Sequence, residues 1–273
     1  MPRHRGTYKP EMSEPYELGR SRLEAFIKCP GCFWLDRARG VKFPDMPGWT
    51  LNTATDTLLK KDFDKYRILK KPHPLMIENG LKDLVPYDHE DFHKWTQALT
   101  LGFRTYHEKT NIILGGGLDD VWINTKTQQV HIVDYKSTAT GKNDQQDSIK
   151  RVDINDHFKS SFRRQMDIYQ FIMKNNNFDV SDTGYFLYVN ADQHFEEGML
   201  HDKVDEAVMK FRVEFIEYKG DSSWVEETLI KAKECLLQEK CPKHAETGFG
   251  RSGQEPCHFN RMITDIFERD LLE

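Results

Sequence analysis

A chain of 273 residues, 38% hydrophobic and 30% charged, can bury one sizeable core as one or two domains, and it holds no apolar run long enough to span a membrane. Its net charge of −5 is not that of a broadly basic nucleic-acid binder, so any phosphate-binding surface must be local. The first residues, Met1 to Gly6, are basic but no apolar stretch follows, so no signal peptide is read; the five cysteines then point to a reducing, cytoplasmic compartment and to metal ligands or core thiols rather than disulfides.

Residues 1 to 18 read as a mobile tail and residues 19 to 273 as one domain. Ser21 is placed to cap a helix through Leu23, Phe26 and Ile27, which the proline of Cys29-Pro30 ends. A loop rich in proline and glycine follows over 43–48. Asn52 is placed to cap a helix reaching Tyr66, with Leu58, Leu59 and Phe63 at helical spacing. Residues 70–90 carry several prolines and read as irregular, before a short helix over 91–99. Strands are expected over 104–108, 112–124 and 129–137. The polar stretch 138–156 reads as a loop. A helix over 158–174 stops before Asn175-Asn176-Asn177, then come strands over 183–190 and 209–218 and helices over 224–238 and 260–271. This order predicts an α/β fold with a mixed central sheet and helices around it.

Two of the strands carry chemistry. Gly116-Gly117-Leu118-Asp119-Asp120-Val121-Trp122 and Val130-His131-Ile132-Val133-Asp134-Tyr135-Lys136-Ser137 each place a carboxylate where an apolar strand meets its end. Residues two apart on a strand share a face, so Asp134 and Lys136 point the same way and Asp120 points away from Asp119. A hairpin turning at 124–127 brings Asp119 near both. Two carboxylates and an ammonium on one patch make a place for a divalent cation, Mg²⁺ or Mn²⁺, and a phosphate. On the 158–174 helix, Gln165 and Tyr169 share a face, as do Lys159 and Arg163. Lys150, Arg151, Lys159, Arg163 and Arg164 form a basic cluster there, and Arg20, Arg22, Lys28, Arg37, Arg39 and Lys42 form another near the start.

Asp119 followed by Asp134-Tyr135-Lys136 resembles the core motif of the PD-(D/E)XK nuclease superfamily. Ser21-x-Leu23-x-x-Phe26-x-x-Cys29-Pro30, Gly116-x-Leu118-Asp119 and Gln165-x-x-x-Tyr169, in that order, are similar to the signatures of its RecB-type branch, and less closely to the iron–sulfur nucleases of CRISPR adaptation and helicase–nuclease repair. The resemblance implies a restriction-endonuclease-like fold with helical additions at both ends and metal-dependent hydrolysis of DNA. It assigns catalysis to Asp119, Asp134, Lys136, Gln165 and Tyr169; nucleic-acid contact is expected from the basic groups around Lys159 and Arg163. It also implies a third metal ligand on a preceding helix, often a histidine. The helix over 51–66 has none, and Asp56 is taken as that ligand beside Asp119 and Asp134. The implied partners are DNA with accessible single-stranded ends and proteins of a repair, adaptation or phage-related complex, with no membrane.

The cysteines pose a separate question. Cys29-Pro-Gly-Cys32 lies near the start, Cys241 and Cys257 near the end. Their convergence would tie the two ends around a structural zinc ion or an iron–sulfur cluster. His244 and His258 could each replace a thiolate, which favours zinc. Cys235, inside a helical pattern, reads as packing. Two readings compete with a nuclease: a non-catalytic DNA-binding or assembly subunit that kept the fold, and a zinc-stabilised interaction module.

Overall fold

Hydrophobic periodicity changes from helical to alternating and back several times along this chain, and the elements follow it. The computed structural model describes all residues except 1–3, 42–47, 99, 101, 144–147, 195, 197, 201–204, 251 and 269–273. In chain order the elements are β1 (Tyr16–Gly19), α1 (Arg20–Lys28), α2 (Pro30–Arg39), α3 (Thr50–Leu69), α4 (Pro74–Glu78), β2 (Leu84–Pro86), α5 (Phe92–Thr96), β3 (Phe103–His107), β4 (Ile112–Gly116), β5 (Asp120–Asn124), β6 (Val130–Thr138), β7 (Lys142–Asn143), β8 (Ser148–Ile149), α6 (Ser160–Asn175), β9 (Thr183–Ala191), β10 (Phe211–Lys219), α7 (Trp224–Leu236) and α8 (His258–Glu268). None of the described helices is long and apolar enough to cross a membrane. The proline-rich loop expected at 43–48 lies, but for Gly48, outside the described residues, as does the expected helix end at 269–271.

Where one domain is expected, the chain divides into two compact units, each assembled from separated stretches. One comprises Met1–Met46, Arg104–Gly116 and Ser222–Glu273, the other Pro47–Phe103 and Gly117–Asp221. In the first, β1 pairs in parallel with β4, Tyr16 opposite Ile112, within a three-stranded sheet of order β1-β4-β3. Leu23, Phe33, Val225 and Leu229 are buried as α1, α2 and α7 pack together. Residues 4–18 are not the mobile tail expected of them. His4 bridges to Tyr16, and Tyr8 is buried with its N–H donating to the Arg37 carbonyl at 2.6 Å. A buried tyrosine with a satisfied backbone anchors a segment whose polar composition suggests solvent.

The second unit is built on a five-stranded mixed sheet of order β10-β9-β6-β5-β2. β5 and β6 form the expected antiparallel hairpin, and α6 carries the chain from β6 to β9, which pairs with β6 in parallel. Alternation gives the sheet two faces. One presents Trp122, Val133, Tyr135, Tyr185 and Leu187 to Phe63 of α3, with Leu59 packed at the margin. Each large side chain buried here contributes about 1.5–3 kcal/mol relative to exposure. The other face carries Asp134 and Lys136 and meets α6. These curled mixed sheets flanked by helices are restriction-endonuclease-like in arrangement.

Several local expectations are corrected. Gly19 and Trp49, without side-chain caps, precede α1 and α3, so neither Ser21 nor Asn52 caps a helix. Leu58 is exposed, and Leu59 alone of that pair faces the core. The irregular stretch 70–90 contains α4 and β2, because β2 gains an edge position beside β5, where a proline is tolerated. The strand expected over 112–124 is broken into β4 and β5, which belong to different sheets. The break falls at Gly117, where an added Cβ would lie 2.6 Å from the Ala98 Cβ, and the next N–H, of Leu118, donates to the Trp95 carbonyl at 3.0 Å.

Candidate active site

The hairpin register pairs Asp120 with Val133, and Asp119, just before β5, is tied to β6 through the Tyr135 N–H. Side chains alternate along β6, so Asp134 and Lys136 share one face, and Val133 with its partner Asp120 lies on the other. Asp120 is buried and wholly engaged. It accepts hydrogen bonds from Arg67 Nη2 (2.5 Å), Tyr135 Oη (2.6 Å), the Val121 N–H (2.7 Å) and Trp122 Nε1 (3.1 Å). Burial and the neighbouring Asp120 carboxylate push the Tyr135 phenol well above its ordinary range, so it remains a donor to Asp120.

Asp119 is half-buried, and its Oδ2 accepts the Tyr135 N–H at 3.1 Å. Asp134 is 1% exposed. Its Oδ1 accepts from Gln165 Nε2 at 2.8 Å, and its Oδ2 is paired with the Lys136 ammonium. Lys136 also lies 5.0 Å from the centre of the Phe162 ring on α6. Gln165 reaches towards Tyr169 Oη at 3.5 Å. The four-residue spacing of Gln165 and Tyr169 thus forms one contact chain to Asp134, with Gln165 orienting the carboxylate from behind.

Helix α3 supplies the opposite wall. Asp56 and Lys60 are one turn apart, and the Lys60 ammonium lies 2.8 Å from Asp56 Oδ2 and 3.5 Å from Asp119 Oδ1. Lys60 is a residue beside the candidate site that the sequence reading missed. Its i,i+4 relation to Asp56 is the signal that could have found it. Burial opposes its charge, but Asp119 and Asp56 outweigh burial and hold the ammonium above its ordinary pKa. Burial raises that of Asp56, a rise that Lys60 moderates. Asp56 Oδ1 is buried without a hydrogen-bond partner. That orphaned oxygen, beside Asp119, fits a hard divalent cation that takes oxygen ligands.

Asp56, Asp119 and Lys136 line an open cleft of about 520 Å³ with Tyr135, Ser137 and Phe162, whereas Asp134 sits buried outside that lining. Thr55 and Ser137 join α3 to β6 by a short hydroxyl–hydroxyl hydrogen bond. A second, mainly apolar cleft of about 540 Å³ adjoins the first, sharing Trp49, Asn52 and Ser137 and continuing over Leu51, Met199 and Phe211. Trp49 is 72% exposed on the boundary of the two.

Of the two basic residues expected to meet nucleic acid, Arg163 is directed to backbone. Its guanidinium donates to the carbonyls of Ile154 and Asp156 and so fastens the segment before α6. Lys159 pairs with Asp156 at 3.6 Å.

The first unit holds a different cluster. Cys29 Sγ, Cys32 Sγ, Cys257 Sγ and a His244 ring nitrogen all lie within 4.8 Å of one another, a metal-ligand arrangement. Convergence of Cys29, Cys32 and Cys257 is as expected, but Cys241 is corrected: it is exposed, on the far side of the imidazole, 3.8 Å from His244 Nε2. Cys235 is buried with its thiol on the Pro30 carbonyl, as packing.

No curated protein matches this chain. The model of one family does, over residues 50–248, a stretch that begins with α3 and contains Asp56, Asp119, Asp134, Lys136 and Gln165. With the hairpin carboxylates, the D-x-K strand and the mixed sheet in place, the chain belongs to the PD-(D/E)XK nuclease superfamily.

Proposed function

We propose that this protein is a Mg²⁺- or Mn²⁺-dependent nuclease that hydrolyses phosphodiester bonds of DNA. The observation that carries this reading is the β5–β6 hairpin, which sets Asp134 and Lys136 on one face of β6 and holds Asp119 on the Tyr135 N–H, with Asp56 presented from α3 to the cleft that Asp119 and Lys136 line. Asp56, Asp119 and Asp134 would hold the cation. When bound, it would acidify the attacking water and offset charge on the phosphoryl oxygens.

The chain's own groups do the rest. The Tyr135 N–H fixes Asp119, and Gln165 fixes Asp134, so both carboxylates are oriented before substrate arrives. Lys136 supplies a positive charge towards the phosphoryl oxygens. Lys60 compensates Asp56 and Asp119; with two ammonium groups against three carboxylates, the site carries one net negative charge, suited to one dication and one phosphate. The exposed Trp49 ring and the apolar cleft beyond it offer stacking surface for unpaired bases, which supports DNA with accessible single-stranded ends as substrate. The Ser21–Pro30 and Gln165–Tyr169 motifs support placement in the RecB-type branch, and with it work beside partner proteins in a repair or adaptation complex in the cytoplasm.

The test is incubation of the purified full chain with end-labelled single- and double-stranded DNA in Mg²⁺, Mn²⁺ or chelator. Cleavage is expected with either cation, favouring single strands, and none with chelator. DNA binding without cleavage under both cations would favour a non-catalytic subunit.

A further inference from the structure

Cys29-Pro-Gly-Cys32 does two jobs at the start of α2. Cys29 is the residue before the helix, and its sulfur accepts the Cys32 N–H at 3.4 Å, while Pro30 occupies the first turn, where its missing N–H costs nothing. Both thiols are thereby set at the helix N-terminus. Gly31 completes the site by leaving room. A Cβ there would lie 2.9 Å from His244 Cγ and 2.9 Å from the Pro242 carbonyl oxygen. The imidazole closes over that gap and stacks on Phe259 with ring centres 5.1 Å apart.

His244 Nδ1 lies 3.3 Å from Cys257 Sγ, 3.4 Å from Cys32 Sγ and 3.6 Å from Cys29 Sγ, and Cys32 Sγ lies 3.5 Å from Cys257 Sγ. Zn–S bonds of about 2.3 Å and Zn–N bonds of about 2.0–2.1 Å in a tetrahedron require ligand atoms about 3.5–3.8 Å apart. These four separations, 3.3–3.6 Å, lie at or slightly below that edge length, and all the ligand atoms lie within 4.8 Å of one another. They are too long for a disulfide, with its S–S bond of about 2.05 Å. They also leave no room for an iron–sulfur core, whose cysteines bind different irons across bridging sulfides. The Ala245 N–H donates to Cys29 Sγ at 3.2 Å and the Asn260 N–H to Cys257 Sγ at 3.4 Å, a surrounding that suits thiolates.

From these distances we infer that Cys29, Cys32, Cys257 and His244 Nδ1 hold a single zinc ion in a closed structural site, with Cys241 outside the ligand set. The ion clips the opening stretch of the first unit to its closing stretch, more than 200 residues apart in sequence. Binding free energy at such a site is folding free energy for the segments it joins. The inference rests on the first unit alone and stands whether or not the second unit cleaves DNA.

The test uses full-length protein purified without oxygen from cells supplied with both iron and zinc. Metal, acid-labile sulfide and visible absorption are measured on the wild type, Cys241→Ser and His244→Ala. The expected result is a colourless protein with about one zinc per chain and no labile sulfide. Cys241→Ser keeps its zinc, and His244→Ala surrenders it to a chelating dye at least about tenfold faster. Cobalt substituted for zinc gives the intense visible bands of a tetrahedral thiolate site in the wild type and in Cys241→Ser. Stripping zinc lowers the melting temperature by roughly 10 °C or more. Iron with labile sulfide, equal zinc loss from Cys241→Ser and His244→Ala, or a folded wild type free of metal would each overturn the inference. Should His244→Ala fail to fold, the cobalt spectrum of Cys241→Ser still decides the ligand set.

Discussion

Lys60 stands one helical turn beyond Asp56 and joins it to Asp119, its ammonium 2.8 Å from the first carboxylate and 3.5 Å from the second. A resident monocation thus lies between two groups that would hold a divalent ion. Replacing it leaves two carboxylates facing each other uncompensated. Lys60→Met is expected to bind Mn²⁺ several-fold more tightly by calorimetry and to lose roughly 1 kcal/mol of stability in chelator, the scale of a partly exposed ion pair. Unchanged Mn²⁺ affinity would show that the lysine and the cation do not compete for these oxygens.

Asp134 and Lys136 are paired, and each is placed for a separate task. Asp134→Asn and Lys136→Met should each lower cleavage by at least about 100-fold, a common loss when a preorganised charge aimed at the transition state is removed. Circular dichroism should remain that of the wild type. Either variant cleaving DNA at the normal rate would refute the assignment.

Gln165 donates to Asp134 at 2.8 Å and does not line the cleft, which makes it a positioning residue in the proposed mechanism. Gln165→Leu should therefore lower kcat by roughly tenfold, the effect of a misplaced group, and leave KM for a single-stranded oligonucleotide unchanged. A rise in KM with kcat intact would instead make Gln165 a substrate contact.

Side-chain alternation was enough to put Asp134 and Lys136 on one face and Asp120 on the other, because a two-residue period leaves no choice once the strand is recognised. The Gln165–Tyr169 spacing was equally readable. The site's far wall was not. Lys60 precedes Lys61 on a polar helix surface, and only the i,i+4 relation of Lys60 to Asp56 separates the two in sequence. Cys241 and His244 pose a similar difficulty in a loop: three residues apart, either could turn inward, and it is the His244 ring that occupies the space left at Gly31. The anchoring of residues 4–18 within the first unit was hidden because one isolated bridge, two buried tyrosines and a short strand leave little periodic trace.

His131 gives a pH dependence of stability. It is buried, one ring nitrogen lies 2.9 Å from the Thr183 carbonyl, and Nε2 has no hydrogen-bond partner. Burial lowers its pKa from 6.5, with the Thr183 carbonyl opposing. The folded protein thus keeps the ring neutral where the unfolded chain takes up a proton. Its contribution is present above pH 6.5 and is lost as pH falls from there towards the lower folded value. His131→Gln should flatten the fall in melting temperature between pH 7.5 and pH 5. An identical slope in the two proteins would remove His131 from the account.

Asp119 and Asp120 are neighbours with opposite duties, and stability measurements separate them. Asp120 is 1% exposed and accepts four hydrogen bonds, from Arg67, Tyr135, Val121 and Trp122. Arg67 is itself buried and bound also to Asp64 and to the Tyr87 carbonyl, so it cannot follow the lost charge into solvent. Removing one partner of a buried ion pair costs about 3–5 kcal/mol, and here it leaves the buried guanidinium with the half-exposed Asp64 as its carboxylate partner. Asp120→Ala is expected to lose that much in urea unfolding, and any loss of activity should track the unfolded fraction. Asp119 is partly exposed, and its nearest cation, Lys60, retains Asp56 as a partner. Asp119→Ala should therefore stay within about 1 kcal/mol of the wild type, the range of exposed pairs, yet abolish cleavage. The reverse pattern, a destabilised Asp119 variant and an inactive but stable Asp120 variant, would mean that the metal ligand of this hairpin is Asp120.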